Sequence, residues 1–528
     1  MSLATPDPVS SSARKGRGAR RAERSGTGGG LGPNAWLKVP YIERGIPSYD
    51  IASEAQLDRV MHSAERILAE IGIEFREDPE TVERFRRVGG KVTQLTPESW
   101  NVKFEPGMIV DLCKTAPERF TQYARNPANT VEIGGKATVF APSYGSPFVM
   151  DLDKGRRYGT IEDFQNFIKL AQSSPWLHHS GGTICEPTDV PVNKRHLDMV
   201  YSHMRYSDRP FLGSITHQDR VTDTLDMCRI LFGSDYLETH CVVMGNFNST
   251  SPLVWDGVTT KGITRYAEAN QGSILLPFLL GGAVAPLTMA GQVAQCVAES
   301  LVGVALTQIV RPGAPALLAG FLSSMSLRSG SPTFGTPEPA LGSLVMGQIS
   351  RRLKLPLRCA GNFSTSKMPD AQAMTQSMMS VMSAVQSGAN YILHCAGFLD
   401  GLLSMSYEKF VLDTDLCGQL HSYLRGLDFS DDALAVDALA EGGPGVHLFS
   451  TQHVLKYYEK AYYDSEMDDN DTHETWSENG SVDSAARANK RWKDVLNRYE
   501  APHLDEGIDE ALKEFIAKKK ASMPDTWY

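Results

Sequence analysis

Several things are missing from this 528-residue sequence. None of its eight cysteines (Cys113, Cys185, Cys228, Cys241, Cys296, Cys359, Cys395 and Cys417) falls in a C-x-x-C pair, which argues against a zinc ribbon or dithiol centre. Neither G-x-G-x-x-G nor G-x-x-x-x-G-K-[ST] occurs, so the phosphate-cradling loop of an open doubly wound sheet is absent. No apolar run approaches the ~20 residues of a membrane helix. Positive charge is in deficit: 52 Lys and Arg against 62 Asp and Glu give a net charge of -10, against a general nucleic-acid binder. The one basic run, Arg14, Lys15, Arg17, Arg20, Arg21 and Arg24, lies in the Ser, Gly and Arg rich opening 1–33. It has no apolar core behind it, so it reads as a disordered tail and not a secretory signal. Scattered cysteines in apolar runs read as reduced, buried thiols, which points to the cytoplasm.

What is present is ordinary globular composition, 41% hydrophobic and 22% charged, organised around residues 281–315. An apolar run, Ile274 to Leu280, feeds Gly281-Gly282. A Pro-Leu-Thr turn follows, and Thr288 stands where it can cap a helix. Val293, Val297, Leu301 and Val304 recur at helical spacing, and Pro312-Gly313 ends the run before a strand at Pro315 to Gly320. This is one β/α unit.

The unit repeats. Strand candidates at 138–149, 176–185, 210–215, 241–247, 274–280, 315–320, 356–360 and 391–396 alternate with helix candidates, among them 193–206, 219–232, 259–270, 339–353, 370–386 and 406–424. About eight rounds predict an α/β fold, a (β/α)8 TIM barrel over residues 136–428. Residues 34–135 read as a mostly helical accessory domain, opened by the capping box Ser53/Gln56. Residues 429–528 read as a helical C-terminal extension. Its acidic cluster, Asp464 to Asp471, lacks the glycine and terminal glutamate of a calcium loop.

A barrel works at the carboxyl ends of its strands. Those ends carry Tyr144 and Phe148, Thr183 and Glu186, Thr216 and His217, Asn246 and Asn248, Gly281 and Gly282, Phe321 and Ser323, Asn362, Ser364 and Lys367, and His394, with Phe334 and Glu338 nearby. Few are Arg or Lys, a poor fit to a phosphate ester. Each residue also has a structural reading. The aromatics either touch substrate or close the barrel end; His217 and His394 are either functional or satisfied histidines. Glu186 either acts or orders a loop before Pro187, and Glu338 either acts or complements a helix dipole.

Three stretches together resemble the corrinoid-dependent trimethylamine methyltransferase family: GGAVAPLTMAGQVAQCVAESLVGVALTQIVRPGAP, FGTPE at 334–338, and SKMPDAQAMTQ at 366–376. The segment TWSENGSVDSAARANKRWKDVLNRYEAPHLDEGID resembles the family's tail. The resemblance implies a (β/α)8 barrel that moves an amine methyl group to the cobalt of a corrinoid (cobalamin) carried by a separate partner protein. Family members acting on trimethylamine carry pyrrolysine; this chain has only standard residues, with the 362–367 loop the corresponding place. That implies the pyrrolysine-free branch, acting on quaternary amines such as glycine betaine, proline betaine or carnitine.

A quaternary nitrogen has no lone pair for a Lewis acid, so no tightly bound metal is expected. The expected cage is Tyr144, Phe148, Phe321 and Phe334, holding the cation by ~0.5–2 kcal/mol per ring. Asn246 and Asn248 contact the substrate, Glu186, His217, Glu338 and His394 are the catalytic candidates, and Gly281, Gly282 and Ser364 are the cofactor-facing ones. A homo-oligomer is expected, with the Trp527-Tyr528 end a candidate contact. The competing readings are a non-catalytic betaine-binding barrel, and a metal-dependent barrel hydrolase or lyase using His217, His394 and Glu186.

Overall fold

The computed structural model describes residue 34 and residues 37–527; the basic run at 14–24 lies outside the described residues. Among them are seven parallel strands, of which β2 to β7 neighbour one another in chain order: β1 (Ala137–Phe140), β2 (Phe211–Leu212), β3 (Val243–Ser249), β4 (Gly272–Leu280), β5 (Ala316–Ala319), β6 (Leu357–Ala360) and β7 (Tyr391–Leu393). Strand β7 pairs back onto β1 through Tyr391 with Val139. Residues 178–182 supply the eighth stave. His178 N donates to Phe140 O at 2.9 Å, Ser180 N to Pro210 O at 2.9 Å, and Leu212 N to Gly181 O at 2.7 Å. These bonds close the ring between β1 and β2, as expected for a (β/α)8 barrel.

The eighth stave is irregular for a local reason. Phe140 N donates to His178 Nδ1 at 2.8 Å, and Gly181 N donates to His179 Nδ1 at 3.0 Å. Imidazole nitrogens thus take N–H groups that a regular ladder would give to carbonyls.

The helices fall where the apolar spacing places them. The helix Ile161–Ser173 opens with a capping box, Thr160 with Asp163, and buries Phe164, Phe167, Ile168 and Ala171. The long helix Met289–Val310 buries all of Val293, Val297, Leu301 and Val304. Thr288 occupies its N-cap position, yet its side chain makes no capping bond. By length and composition this helix is apolar enough to cross a membrane, which corrects the reading that no such run exists. In this fold 89% of its most apolar window is buried in protein, against β4 and β5 on one side and the helices Glu54–Arg66 and Met108–Cys113 on the other.

Two expectations about the flanks need correction. Residues 39–135 are mixed and not mostly helical: Ile73–Arg76 and Lys91–Thr96 both pair antiparallel with Ser99–Lys103, which lies between them, and Arg119–Gln122 pairs with Val131–Gly134. Alternating polar and apolar residues in KVTQLT and SWNVK are the signal that was missed. The single strand expected over 138–149 is two: β1, and Phe148–Asp151, which pairs with Ser404–Ser406 and Gly155–Tyr158 in a separate sheet.

Compactness also divides the chain differently from the sequence reading. Residues 39–427 and 465–528 form one unit. Within it the helix Ser484–Asn497 packs on Tyr407–Arg425, with the Trp492 and Tyr407 rings 4.5 Å apart. The chain end folds onto its own barrel, where Val192 N donates to Thr526 O at 2.8 Å. Residues 428–464, with the described residues 34, 37 and 38, form the second unit, built of short helices such as Val436–Gly442 and Gln452–Tyr457.

Candidate functional site

At the carboxyl ends of β5, β6 and β7, five rings meet. Phe363 lies 5.0 Å from Phe321, 5.3 Å from Phe334, 4.9 Å from His394 and 5.8 Å from Phe398, between ring centroids. His394 stacks on Phe398 at 4.9 Å and meets Phe321 edge-on at 6.1 Å. All five are buried. Of the six residues expected to contact substrate, the structure brings Phe321 and Phe334 together, beside the catalytic candidate His394. Phe363 and Phe398 were missed. Each lies in the loop region just beyond a barrel strand, Phe363 after Ala360 and Phe398 after Leu393, and that position was the available signal.

The 362–367 loop is held by the stretches that carry the family resemblance. Gln376 Oε1 accepts from Ser364 Oγ and from Thr365 N, both at 2.9 Å. Gly335 of FGTPE sits on the Gln376 backbone: a Cβ there would lie 2.3 Å from Gln376 O, and its φ is +65°. A side chain at 335 would push Phe334 out of the cluster. FGTPE and SKMPDAQAMTQ therefore act together to seat Phe334 and Phe363.

His394 is fixed before any ligand arrives. It is a non-glycine residue at φ 69°, a costly conformation. Asn362 N donates to its carbonyl at 2.7 Å, and Tyr144 N donates to its Nδ1 at 3.2 Å. With Nδ1 accepting, the neutral ring carries its proton on Nε2. Burial, with the nearby Arg358 charge, holds the imidazole well below the usual histidine range.

Below the rings is Arg358, fully buried on β6, which sequence reasoning also missed. Its guanidinium lies 5.7 Å from the Phe321 ring centre. Nη1 makes one long contact, 3.4 Å to Gly320 O, while Nε and Nη2 have no partner. Burial lowers its pKa to about 10, so it stays charged at neutral pH. The groups that act electrostatically on this charge are thiols and a phenol, Cys359, Tyr391, Cys395 and Cys296, with no carboxylate among them. A charged residue inside the apolar run PLRCA was the signal that could have found it.

The other expected residues lie in different settings. The Tyr144 phenol is pushed up to about 12 by burial, hydrogen-bonds Thr183 and lies near Glu186. Glu186 pairs with Arg195 at 2.7 Å; burial raises its pKa, opposed by Arg195 and Arg220. His217 caps the helix Gln218–Phe232, accepting from Asp219 N at 3.2 Å, with its side chain 48% exposed. Glu338 is exposed in the first turn of Pro337–Leu353. Phe148 stands in the separate sheet with Arg156 over its ring at 3.5 Å. Asn246 is buried and Asn248 exposed; Asn246 Nδ2 donates to Asn248 Oδ1 at 3.5 Å, and Asn246 Oδ1 has no partner. Gly281 and Gly282 meet the chain's own loop: a Cβ on Gly281 would be 2.4 Å from Gln292 Nε2, and one on Gly282 2.9 Å from Leu287. Ser364 is fully buried. Among the described residues no group of three or more His, Cys, Asp or Glu side chains is arranged to hold a metal ion, and His217, His394 and Glu186 form no such group.

Comparison with known proteins follows from this geometry. The family described as trimethylamine methyltransferase (MTTB) matches residues 13–524. A glycine betaine methyltransferase of Desulfitobacterium hafniense is 38% identical over 475 residues, covering 90% of this chain and 98% of its own. A proline betaine:corrinoid methyltransferase of Eubacterium limosum is 26% identical over 393 residues, covering 72% of this chain and 79% of its own. Among solved structures, the monomethylamine methyltransferase of Methanosarcina barkeri aligns with a TM-score of 0.49 at 12% identity, over 92% of this chain and 98% of that one.

Proposed function

The chain belongs to the trimethylamine methyltransferase family, and from that membership we propose that it moves a methyl group from a quaternary amine of the glycine betaine type to the Co(I) of a corrinoid protein. The observation that carries the choice of substrate is Arg358. A buried, charged guanidinium with two unpaired donor nitrogens wants an anion. Next to it, the Phe321, Phe334, Phe363 and Phe398 rings offer faces to a cation. A molecule with a carboxylate on one side and a quaternary ammonium on the other suits both.

The demands on the protein are then modest in kind. The leaving group is a neutral tertiary amine, so no general acid is needed. The nucleophile is supplied by the corrinoid of the partner protein. This chain binds the zwitterion, orients one methyl toward the barrel mouth and keeps water from the cationic centre. His394 Nε2–H is placed to add a donor for the carboxylate. Glu186, His217 and Glu338 have no part in this assignment.

Two further expectations belong to the same proposal. All eight cysteines are free and buried, which supports a reducing compartment. Phe429, Phe449, Tyr458 and Tyr462 are largely exposed, which supports a second copy of the chain covering them; light scattering on the purified protein checks the assembly state.

The test is methyl transfer. Protein mixed with Co(I) cobalamin and glycine betaine should yield methylcobalamin absorbance and one equivalent of the dimethylated amine. Folded protein that transfers from no quaternary amine, to cobalamin or to a corrinoid protein, sinks the proposal. Tight betaine binding without transfer would leave the non-catalytic barrel in its place.

A further inference from the structure

The barrel interior holds more unpaired donors than Arg358 alone. Tyr391 is the direct register partner of Arg358, on the neighbouring strand β7 and therefore on the same face of the sheet. His179, on the eighth stave, meets the Tyr391 ring edge-on at 5.3 Å and 89°. His178, one residue earlier, points the other way, stacking on Phe140 and meeting His421 at a tilt. His179, Tyr391 and Arg358 thus form one contiguous interior group, and all three are fully buried.

The chemistry of the group is one-sided. His179 Nδ1 is occupied by the Gly181 N–H, so the neutral ring carries its proton on Nε2. Burial holds the imidazole well below the usual histidine range, which keeps it neutral. His179 Nε2 and Tyr391 Oη have no hydrogen-bond partner, and neither do Arg358 Nε and Nη2. His179 Nε2–H, Tyr391 Oη–H and the N–H groups on Arg358 Nε and Nη2 all donate, and among these three side chains only the Tyr391 oxygen can also accept. Buried donors left unpaired are costly, and a carboxylate, with four lone-pair sites, satisfies several at once.

We infer that His179 and Tyr391 form a second donor pair beside Arg358, completing an anion pocket inside the barrel that selects zwitterionic, carboxylate-bearing quaternary amines over purely cationic ones. This rests on the function proposed above. Arg358 supplies the charge; His179 and Tyr391 supply directed, neutral donors that a cation without a carboxylate cannot use. Such a cation would bring its positive charge next to Arg358 with no anion between them, so the pocket rejects it as well as failing to bind it.

The experiment uses the full chain with Tyr391→Phe, which keeps the ring and removes only Oη, and His179→Asn, whose Oδ1 can still accept from Gly181 N. Titration calorimetry with glycine betaine and with choline is run beside thermal melts. The expected result is a Kd for glycine betaine raised about tenfold in each variant, unchanged choline binding and an unchanged melting temperature. The KM for glycine betaine in methyl transfer should rise in parallel. Unchanged betaine affinity in both variants, the result if only water fills the pocket, overturns the inference. Equal weakening of both ligands overturns it too, since that is a structural effect. Should the wild type bind no quaternary amine, the proposed function fails on its own, and acetate is then the probe. Acetate binding weakened tenfold by Tyr391→Phe keeps the pocket; absence of acetate binding removes it.

Discussion

Arg209 and Arg358 are two guanidiniums buried in the same unit, and they are satisfied in opposite ways. Arg209 donates from Nη1 to Ala171 O at 2.7 Å and to Leu177 O, and from Nη2 to Gln172 O at 3.0 Å and Ser174 O at 2.7 Å. It binds the end of the helix Ile161–Ser173 to the start of the eighth stave, and the chain provides everything it needs. Arg358 has one long bond and two idle donors. Burial alone therefore does not separate a structural charge from a functional one; the count of internal partners does. Lys409 falls on Arg209's side, with Nζ donating to Ser377 Oγ at 2.7 Å and to Asp413 Oδ1 at 2.5 Å.

The largest expected effect tests the satisfied arginine. Arg209→Met removes four hydrogen bonds and should cost about 3–5 kcal/mol of stability, read by chemical denaturation. A loss under 1 kcal/mol would show that the four bonds are not holding the stave. Arg358→Met should do the reverse. We expect kcat/KM for glycine betaine to fall by about 100- to 1000-fold, the ~2–5 kcal/mol of a buried charge contact, while the melting temperature holds or rises. Normal turnover by this variant would remove the contrast between the two arginines altogether.

Smaller changes sharpen the boundary of the site. Phe363→Leu keeps the apolar volume but deletes the ring face, and should weaken betaine binding by about 0.5–2 kcal/mol. Equal affinity in the variant would return Phe363 to the role of a barrel plug. Protonation offers a separate probe. His178, His179, His203 and His394 are each held below the ordinary value of 6.5 by burial. The unfolded chain takes up these protons near pH 6.5 and the folded chain does not. Stability from each is thus full above that pH and lost as pH falls below it, by up to ~1.4 kcal/mol per pH unit. Melts between pH 7.5 and 5 should show the fall, with a shallower slope in His394→Gln; a flat profile contradicts neutral buried rings. Least of all, His217→Ala should cost ~0.5–1 kcal/mol as a lost helix cap and leave turnover alone. Abolished transfer in that variant would return His217 to the chemistry.

Much of the architecture could be read directly from residue spacing. Apolar periodicity, Thr160/Asp163 and Ser53/Gln56 capping, and the Gly and Pro stops are local signals, and local signals survive without tertiary context. The site was only half legible. Phe321, Phe334 and His394 were visible as strand-end residues and do converge. Phe148 and Tyr144 carried the same signal, and β1 ended before either, sending Phe148 into a second sheet under Arg156. His217 was a catalytic candidate by its type and its place at a strand end; only the helix that begins after it gives it a capping role.

By itself, then, the sequence determined the order of eight strand and helix units, their caps and breaks, and the family to which the chain belongs. Only the tertiary structure decided that Arg358, Tyr391 and His179, drawn from three separate stretches, share one interior face with their donors left unpaired. The reason is geometric. Alternation along a strand fixes which residues point the same way, but which strands are neighbours, and what remains unpaired between them, exists only once the barrel has closed.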